Sequence, residues 1–256
     1  MLGDIHGDFE TFQYMVKYRE NCLIIVLGDC GLGFYKPQYY QNVFTKFNQF
    51  CEENNIYIMM LRGNHDDPSY FSEEKINFSN IKSIPDYSLI LTEQNNILCV
   101  GGATSVDRTW RITQEVRLNK FRRKSSYQKK LYWNDEAPVL NCDIIPFLNE
   151  NDIKVNIIAS HTRPDWVKIN NWSISTWLDV DSKLKEDIEN EQKIMTDLHK
   201  VLVQNGHPIN KWFHGHFHTD YDEVYPEFGI TVTCVNEQFQ FKSVECERLI
   251  EDESPF

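Results

Sequence analysis

Short apolar runs alternate with longer amphipathic stretches along this chain. Leu23 to Leu27, Ile56 to Leu61, Ile97 to Val100, Val155 to Ala159 and Trp212 to Phe213 are short, often β-branched and bounded by polar residues or glycine. That is the pattern of buried strands. Helical periodicity lies between them, over roughly Phe9 to Tyr18, Tyr40 to Glu53 and Asp181 to Gln204. The last of these carries Leu184, Ile188, Met195, Leu198 and Leu202 on one face and stops at Asn205-Gly206, with Pro208 just beyond. Near the C-terminus, Ile230 to Val235 and Phe239 to Val244 flank Asn236-Glu237-Gln238, which predicts a hairpin. Strands alternating with helices early, and strands flanking helices late, predict an α/β core. Ligands of such sheets gather at the carboxyl ends of the strands, and here the His, Asp and Asn clusters follow the strand runs.

Composition narrows the class. With 256 residues, 41% hydrophobic and 25% charged, the chain can bury one large core, which excludes collagen-like, coiled-coil and low-complexity readings. No repeat or Gly/Ser-rich linker divides it, so residues 1–256 read as a single domain with a variable basic insert at about 104–150. No apolar run approaches the roughly 20 residues of a membrane span, and Met1 to Asp8 has neither a basic nor an apolar leader region. The expectation is a cytoplasmic protein with no membrane partner. Seven scattered cysteines without a CxxC pair suit reduced, mostly buried thiols. The net charge is −12, but nine basic residues and one acid between Arg108 and Lys130 concentrate +8 there and leave −20 elsewhere.

The candidate chemistry sits in five segments: Gly3-Asp4-Ile5-His6-Gly7, Gly28-Asp29-Cys30-Gly31, Gly63-Asn64-His65-Asp66, Ser160-His161 and Gly215-His216-Phe217-His218. Each places oxygen or imidazole donors on a tight turn after a strand. Mixed carboxylate, amide and imidazole donors suit divalent manganese, iron or zinc. Seven such side chains suffice for two ions, which can clamp the attacking and leaving oxygens of a phosphoryl transfer.

In this order the segments resemble the calcineurin-like metallophosphoesterases, whose pattern is DxH, GD, GNHD or GNHE, a lone His, and GHxH. The resemblance runs from Asp4 to His218 and implies a four-layer sandwich of two mixed β-sheets flanked by helices. It implies that Asp4, His6, Asp29 and His218 hold one ion, and that Asp29, Asn64, His161 and His216 hold the other, with Asp29 bridging. It implies as nucleophile a water or hydroxide between the ions, with His65 donating a proton to the leaving oxygen or stabilising phosphoryl charge. His65 and Asp29 are thus the expected catalytic pair. His199, His207 and His214 stay outside this set.

Three departures shape the expectation. Only Met1 and Leu2 precede Gly3, so the first strand is curtailed or the chain's start lies upstream. Cys30-Gly31 stands where the protein Ser/Thr phosphatases continue Asp-Arg-Gly, so their phosphate-gripping arginine is missing, although Arg62 echoes that branch. The second histidine of GHxH, His218, belongs to the broader superfamily, which points to a generic bacterial or phage-type member. The stretch Gly101-Gly102-Ala103-Thr104-Ser105-Val106-Asp107-Arg108, with Arg111, resembles a GGAxSxDxxxR segment of a subset of the family, often paired with an aromatic-acid piece like Tyr132 to Glu136. Arg108 or Arg111 can there supply a bidentate phosphate clamp, or form a salt-bridged structural loop.

The resulting expectation is hydrolysis of phosphate monoesters or diesters on a small molecule, nucleotide or phosphoprotein. Two other readings stand beside it. The basic run Arg117 to Lys130, with Phe121, Tyr127, Tyr132 and Trp133 among or beside it, allows a nuclease, but equally a solvated charged face. A metal-poor scaffold of the same fold requires degraded ligands, and none is missing.

Overall fold

The computed structural model describes residues 1–120, 122, 127–169, 174–237 and 241–244. The elements in chain order are α1 (Phe9–Val16), β1 (Cys22–Val26), α2 (Pro37–Glu53), β2 (Ile56–Met60), α3 (Ser69–Ser72), β3 (Ile81–Ser83), β4 (Ser88–Leu91) and β5 (Asn96–Val100). There follow α4 (Arg108–Asn119), α5 (Ile144–Glu150), β6 (Ile157–Ser160), α6 (Ser175–Leu178), α7 (Leu184–Gln204), β7 (Lys211–His214), β8 (Tyr221–Tyr225) and β9 (Ile230–Cys234). One sheet is parallel, ordered β1-β2-β3; the other is mixed, ordered β4-β5-β6-β7-β9-β8, with antiparallel strands only at its two edges.

Alternation along the strands stacks these sheets. Ile24 and Val26 face α1 and α2 in one apolar cluster, whereas Ile25 and Leu27 face the second sheet. In β5, Ile97 and Cys99 turn to that shared interior while Leu98 and Val100 pack under α5 and α7. Because side chains alternate with period two, each sheet buries both faces, and helix, sheet, sheet and helix become four layers. The expected sandwich is therefore present, with its first sheet parallel throughout β1 to β3.

Local chemistry sets the helix ends. Asp8 caps α1 by accepting from Thr11 N–H at 3.1 Å. The helix ends at Val16, short of the expected Tyr18, where Tyr14 and Tyr18 instead share an exposed hydroxyl contact. Pro37, with φ already suited to a first turn and no N–H to satisfy there, starts α2 three residues before the predicted Tyr40. On α7, Leu184, Ile188, Met195, Leu198 and Leu202 are all buried, as the sequence pattern predicts.

The expected C-terminal hairpin is corrected. The antiparallel partner of β9 is β8, upstream of it, with Tyr221 opposite Cys234. Residues 238–240 lie outside the described residues, and Phe241 forms an antiparallel bridge to Leu2 in the other half of the molecule. Leu2 also bridges Val26 in parallel, so the segment entering Gly3 runs beside β1 and emerges at the same edge. No helix among the described residues is long and apolar enough to cross a membrane.

Candidate metal centre

All five motif segments leave parallel strands, or the Leu2 bridge, at one edge of the two sheets, so residues more than 200 positions apart meet there. Three overlapping groups of donor atoms result, each within 4.8 Å: Asp4-His6-His218, His6-Asp29-His65 and Asp29-His161-His216. Asp29 belongs to two of them. The backbone bends sharply to aim these side chains: His6, Asp29, His216 and His218 have φ of +46°, +49°, +70° and +50°. Left-handed conformations cost a non-glycine residue roughly 1–2 kcal/mol each, and such strain concentrates at functional sites. Gly28 at φ +100° does more than turn the chain, because a Cβ there would run into the His161 ring.

The donors form a floor and a rim. Asp4, Asp29, Asn64 and His161 are buried, while the His218 side chain is 44% exposed. His161 Nδ1 lies 2.6 Å from the Leu27 carbonyl, so an N–H donated there turns Nε2 to Asn64 Oδ1 at 3.0 Å and Asp29 Oδ1 at 3.3 Å. The His216 N–H lies 3.2 Å from both Asp4 oxygens. His218 Nε2 lies 3.2 Å from Asp4 Oδ2 and also 3.2 Å from His6 Nε2. His65 is pinned through its backbone, whose N–H donates to Asp29 Oδ1 at 2.7 Å, and its ring stands edge-on to His6.

Charge follows from these contacts. Burial opposes ionisation of Asp29, but His65, His161 and His6 outweigh it and hold the carboxyl well below its usual range. Burial likewise opposes charge on His161, yet Asp29 and Asp4 carry its pKa up to about 9. His65 and His216 go down, His65 to about 3, chiefly through burial.

Such a set of carboxylate, amide and imidazole donors fits one pair of divalent cations. Asp4, His6, Asp29 and His218 can hold one, and Asp29, Asn64, His161 and His216 the other. The structure thus brings all seven expected donors and His65 into one cradle. It places His214 outside, with its ring nitrogens against Tyr221 Oη at 2.9 Å and the Gly215 carbonyl at 3.1 Å.

Two contributors escape the sequence reading. Asp66, the last residue of GNHD, accepts from the N–H groups of Cys30 (3.0 Å), Leu32 (2.8 Å) and Gly63 (2.8 Å), tying the Asp29 loop to the Asn64 loop. Glu237 places Oε2 3.3 Å from His218 Nδ1 and 3.7 Å from His6 Nε2, beside the first donor group. No local pattern in the sequence marks it: β9 runs parallel to β7, and only that pairing brings the ends of both strands to the same edge.

The two expected phosphate-binding arginines differ sharply. Arg108 is held by Asp181 at 2.5 Å and Asp187 at 2.7 Å, both near the start of α7. Arg111 is buried, pairs with Asp107 at 2.8 Å, donates to the Asn64 carbonyl at 3.1 Å, and leaves Nη2 without a hydrogen-bond partner. Arg62 holds Asp86 and the Glu136 and Ala137 carbonyls, a structural clip. In the basic run, Lys129 donates to the Phe34 carbonyl and Arg122 to that of Tyr127, so part of this charge is spent internally. Phe121, Arg123 and Lys124 lie outside the described residues.

Beside the cradle, α7 and the 104–137 segment border a half-open cavity of about 200 Å³ lined by Thr104, Glu136, Glu191 and Asn190 among others. Two of its carboxyls face neutral donors: Glu136 accepts from Ser105 N–H and Oγ–H, and Glu191 from Thr104 N–H and Thr162 Oγ–H.

Residues 1–220 match the family described as calcineurin-like phosphoesterase, and the chain belongs to that family. No curated protein matches its sequence. Among solved structures, it is similar to GAP50, the anchor in the inner membrane complex of Plasmodium, at 14% identity and TM-score 0.43, covering 96% of this chain and 74% of that one. It is also similar to phosphopantetheinyl hydrolase from Mycobacterium tuberculosis, at 10% identity and TM-score 0.40, covering 92% and 88%.

Proposed function

We propose that this chain hydrolyses phosphate monoesters or diesters of small molecules, nucleotides or phosphoproteins with two divalent cations. The observation that carries the reading is the convergence of Asp4, His6, Asn64, His161, His216 and His218 around Asp29, which reaches both halves of the donor set. Cations so held supply Lewis acidity, lowering the pKa of water and neutralising phosphoryl charge.

The chain's own groups do the rest. Asp29 joins the two halves and pins the His65 backbone, which aims the His65 ring at the cradle. At 30% exposure that ring faces the opening, where an N–H can meet a phosphoryl or leaving oxygen. Of the two arginines, the phosphate-stabilising role falls to Arg111, whose guanidinium lies against the Asn64 carbonyl with one buried N–H unpartnered, whereas Arg108 is tied to two carboxylates.

The test is a panel on Mn²⁺-loaded full chain comparing p-nitrophenyl phosphate, its bis-ester and a single-stranded oligonucleotide. Turnover of the monoester or bis-ester, lost on chelation and restored by Mn²⁺, is expected. No turnover of either by protein holding two Mn²⁺ would overturn the reading, and cleavage of the oligonucleotide alone would replace it with the nuclease. Arg111→Ala should lower kcat/KM by about 10²-fold, with Arg108→Ala nearer wild type; an unchanged Arg111→Ala enzyme removes that role.

A further inference from the structure

The segment after β5 was expected either to clamp phosphate or to form a salt-bridged loop, yet its contacts converge on one expected ligand, Asn64. Asn64 Nδ2 donates to Ser105 Oγ at 3.0 Å. Ser105 Oγ donates in turn to Glu136 Oε2 at 2.6 Å, and Ser105 N–H donates to Glu136 Oε1 at 2.7 Å. From the same segment, Arg111 Nη1 donates to the Asn64 backbone carbonyl at 3.1 Å. Asn64, Ser105 and Glu136 are all at least 98% buried, so no bulk water can substitute for a lost partner.

A side-chain amide has two ends of nearly equal shape and opposite hydrogen-bonding sense. Only Oδ1 can bind a cation, so the amide must be held with Nδ2 turned away. A serine hydroxyl facing an amide can either accept from Nδ2 or donate to Oδ1, and alone it does not discriminate. In its carboxylate form Glu136 removes that choice: Oε2 accepts the hydrogen bond from the Ser105 hydroxyl, leaving the Ser105 oxygen lone pairs for Asn64 Nδ2. Asn64 Oδ1 then faces His161 Nε2, within the second donor set.

We infer that Ser105 and Glu136 form a buried relay that orients the Asn64 amide, making both of them positioning residues for the second cation. The inference rests on the two-cation reading proposed above. It also predicts an asymmetry, because Asp4, His6 and His218 have no contact with the relay.

Calorimetric titration of Mn²⁺ into chelator-stripped full chain tests it. Wild type should bind two ions. Ser105→Ala, which leaves Asn64 free to flip, should bind one ion with wild-type affinity and the other about 10- to 100-fold more weakly, the usual cost of losing an orienting partner of a metal ligand. Ser105→Cys keeps the volume and a weak acceptor and should fall between the two; it carries the test if the alanine variant does not fold. Two wild-type affinities in the serine variants would overturn the relay while leaving the two-cation reading intact. Equal weakening of both ions would also overturn it, as general loosening. A wild type that binds no second ion would remove the two-cation reading and the relay together.

Discussion

Two clusters of buried acids lie side by side in this molecule and behave in opposite ways. In the cradle, Asp29 is surrounded by His6, His65 and His161 and stays ionised despite its burial. In the neighbouring cavity wall, burial pushes Glu136 up to about 8, and raises Glu191 too, because their partners are hydroxyls and backbone N–H groups without charge. Burial is nearly the same; the neighbours differ. Carboxylates facing imidazoles keep a negative charge ready for a cation, whereas carboxyls facing neutral donors serve as hydrogen-bond anchors. Asp66 tests the rule within the cradle itself: it accepts three backbone N–H groups and its pKa rises to about 6, through burial and then the nearby Asp29 charge.

The sharpest way to break the comparison is Asp29→Asn. It removes the charge shared by two donor groups and should cut phosphoester turnover by about 10³-fold, with Mn²⁺ binding lost in the same titration; retained two-ion binding would show that the charge is not what matters there. Asp66→Ala is expected to act on stability instead. Three buried N–H groups lose their acceptor, and at roughly 1–3 kcal/mol for each unsatisfied donor the urea midpoint should fall by an amount worth at least about 3 kcal/mol.

Glu237→Gln should be milder. Losing the negative charge beside His218 should weaken one Mn²⁺ site by about 10-fold, and no change would reduce Glu237 to a surface neighbour. A separate readout is the pH dependence of the anchor cluster. Glu136 rises from an ordinary 4.5 to about 8 in the fold, so its contribution to stability is complete below about 4.5 and is lost as pH climbs to about 8. In metal-free protein the stability difference between wild type and Glu136→Gln should therefore shift against wild type across that interval. A constant difference would mean that Glu136 is ionised in the fold.

Much of the site could be read before folding because its donors are tied to local turns. Asp4, His6, Asp29, Asn64, His161, His216 and His218 sit in short segments of characteristic spacing, all but that of His161 bearing glycine, and each segment follows an apolar run that folds as a strand or pairs as one. The same locality made α2 and α7 legible, since a buried stripe repeats every three to four residues within a single helix. Where pairing is remote, the pattern was mute. Ile230 to Cys234 reads as a strand, but nothing in those residues says that it pairs with Tyr221 to Tyr225 rather than with the segment after it.

The sequence by itself determined the family, the order of the layers and which side chains are the candidate cation donors, because these depend on residue type and on spacing within short segments. Tertiary structure alone decided that Arg108 is held by two carboxylates, since Asp181 and Asp187 lie over 70 positions from it. It also decided which way the Asn64 amide turns, since Ser105 and Glu136 reach it from 41 and 72 positions away. The physical reason is the same in both cases. A guanidinium or an amide offers its donors to whatever the fold brings near, and the partner, not the residue, settles its charge balance and orientation.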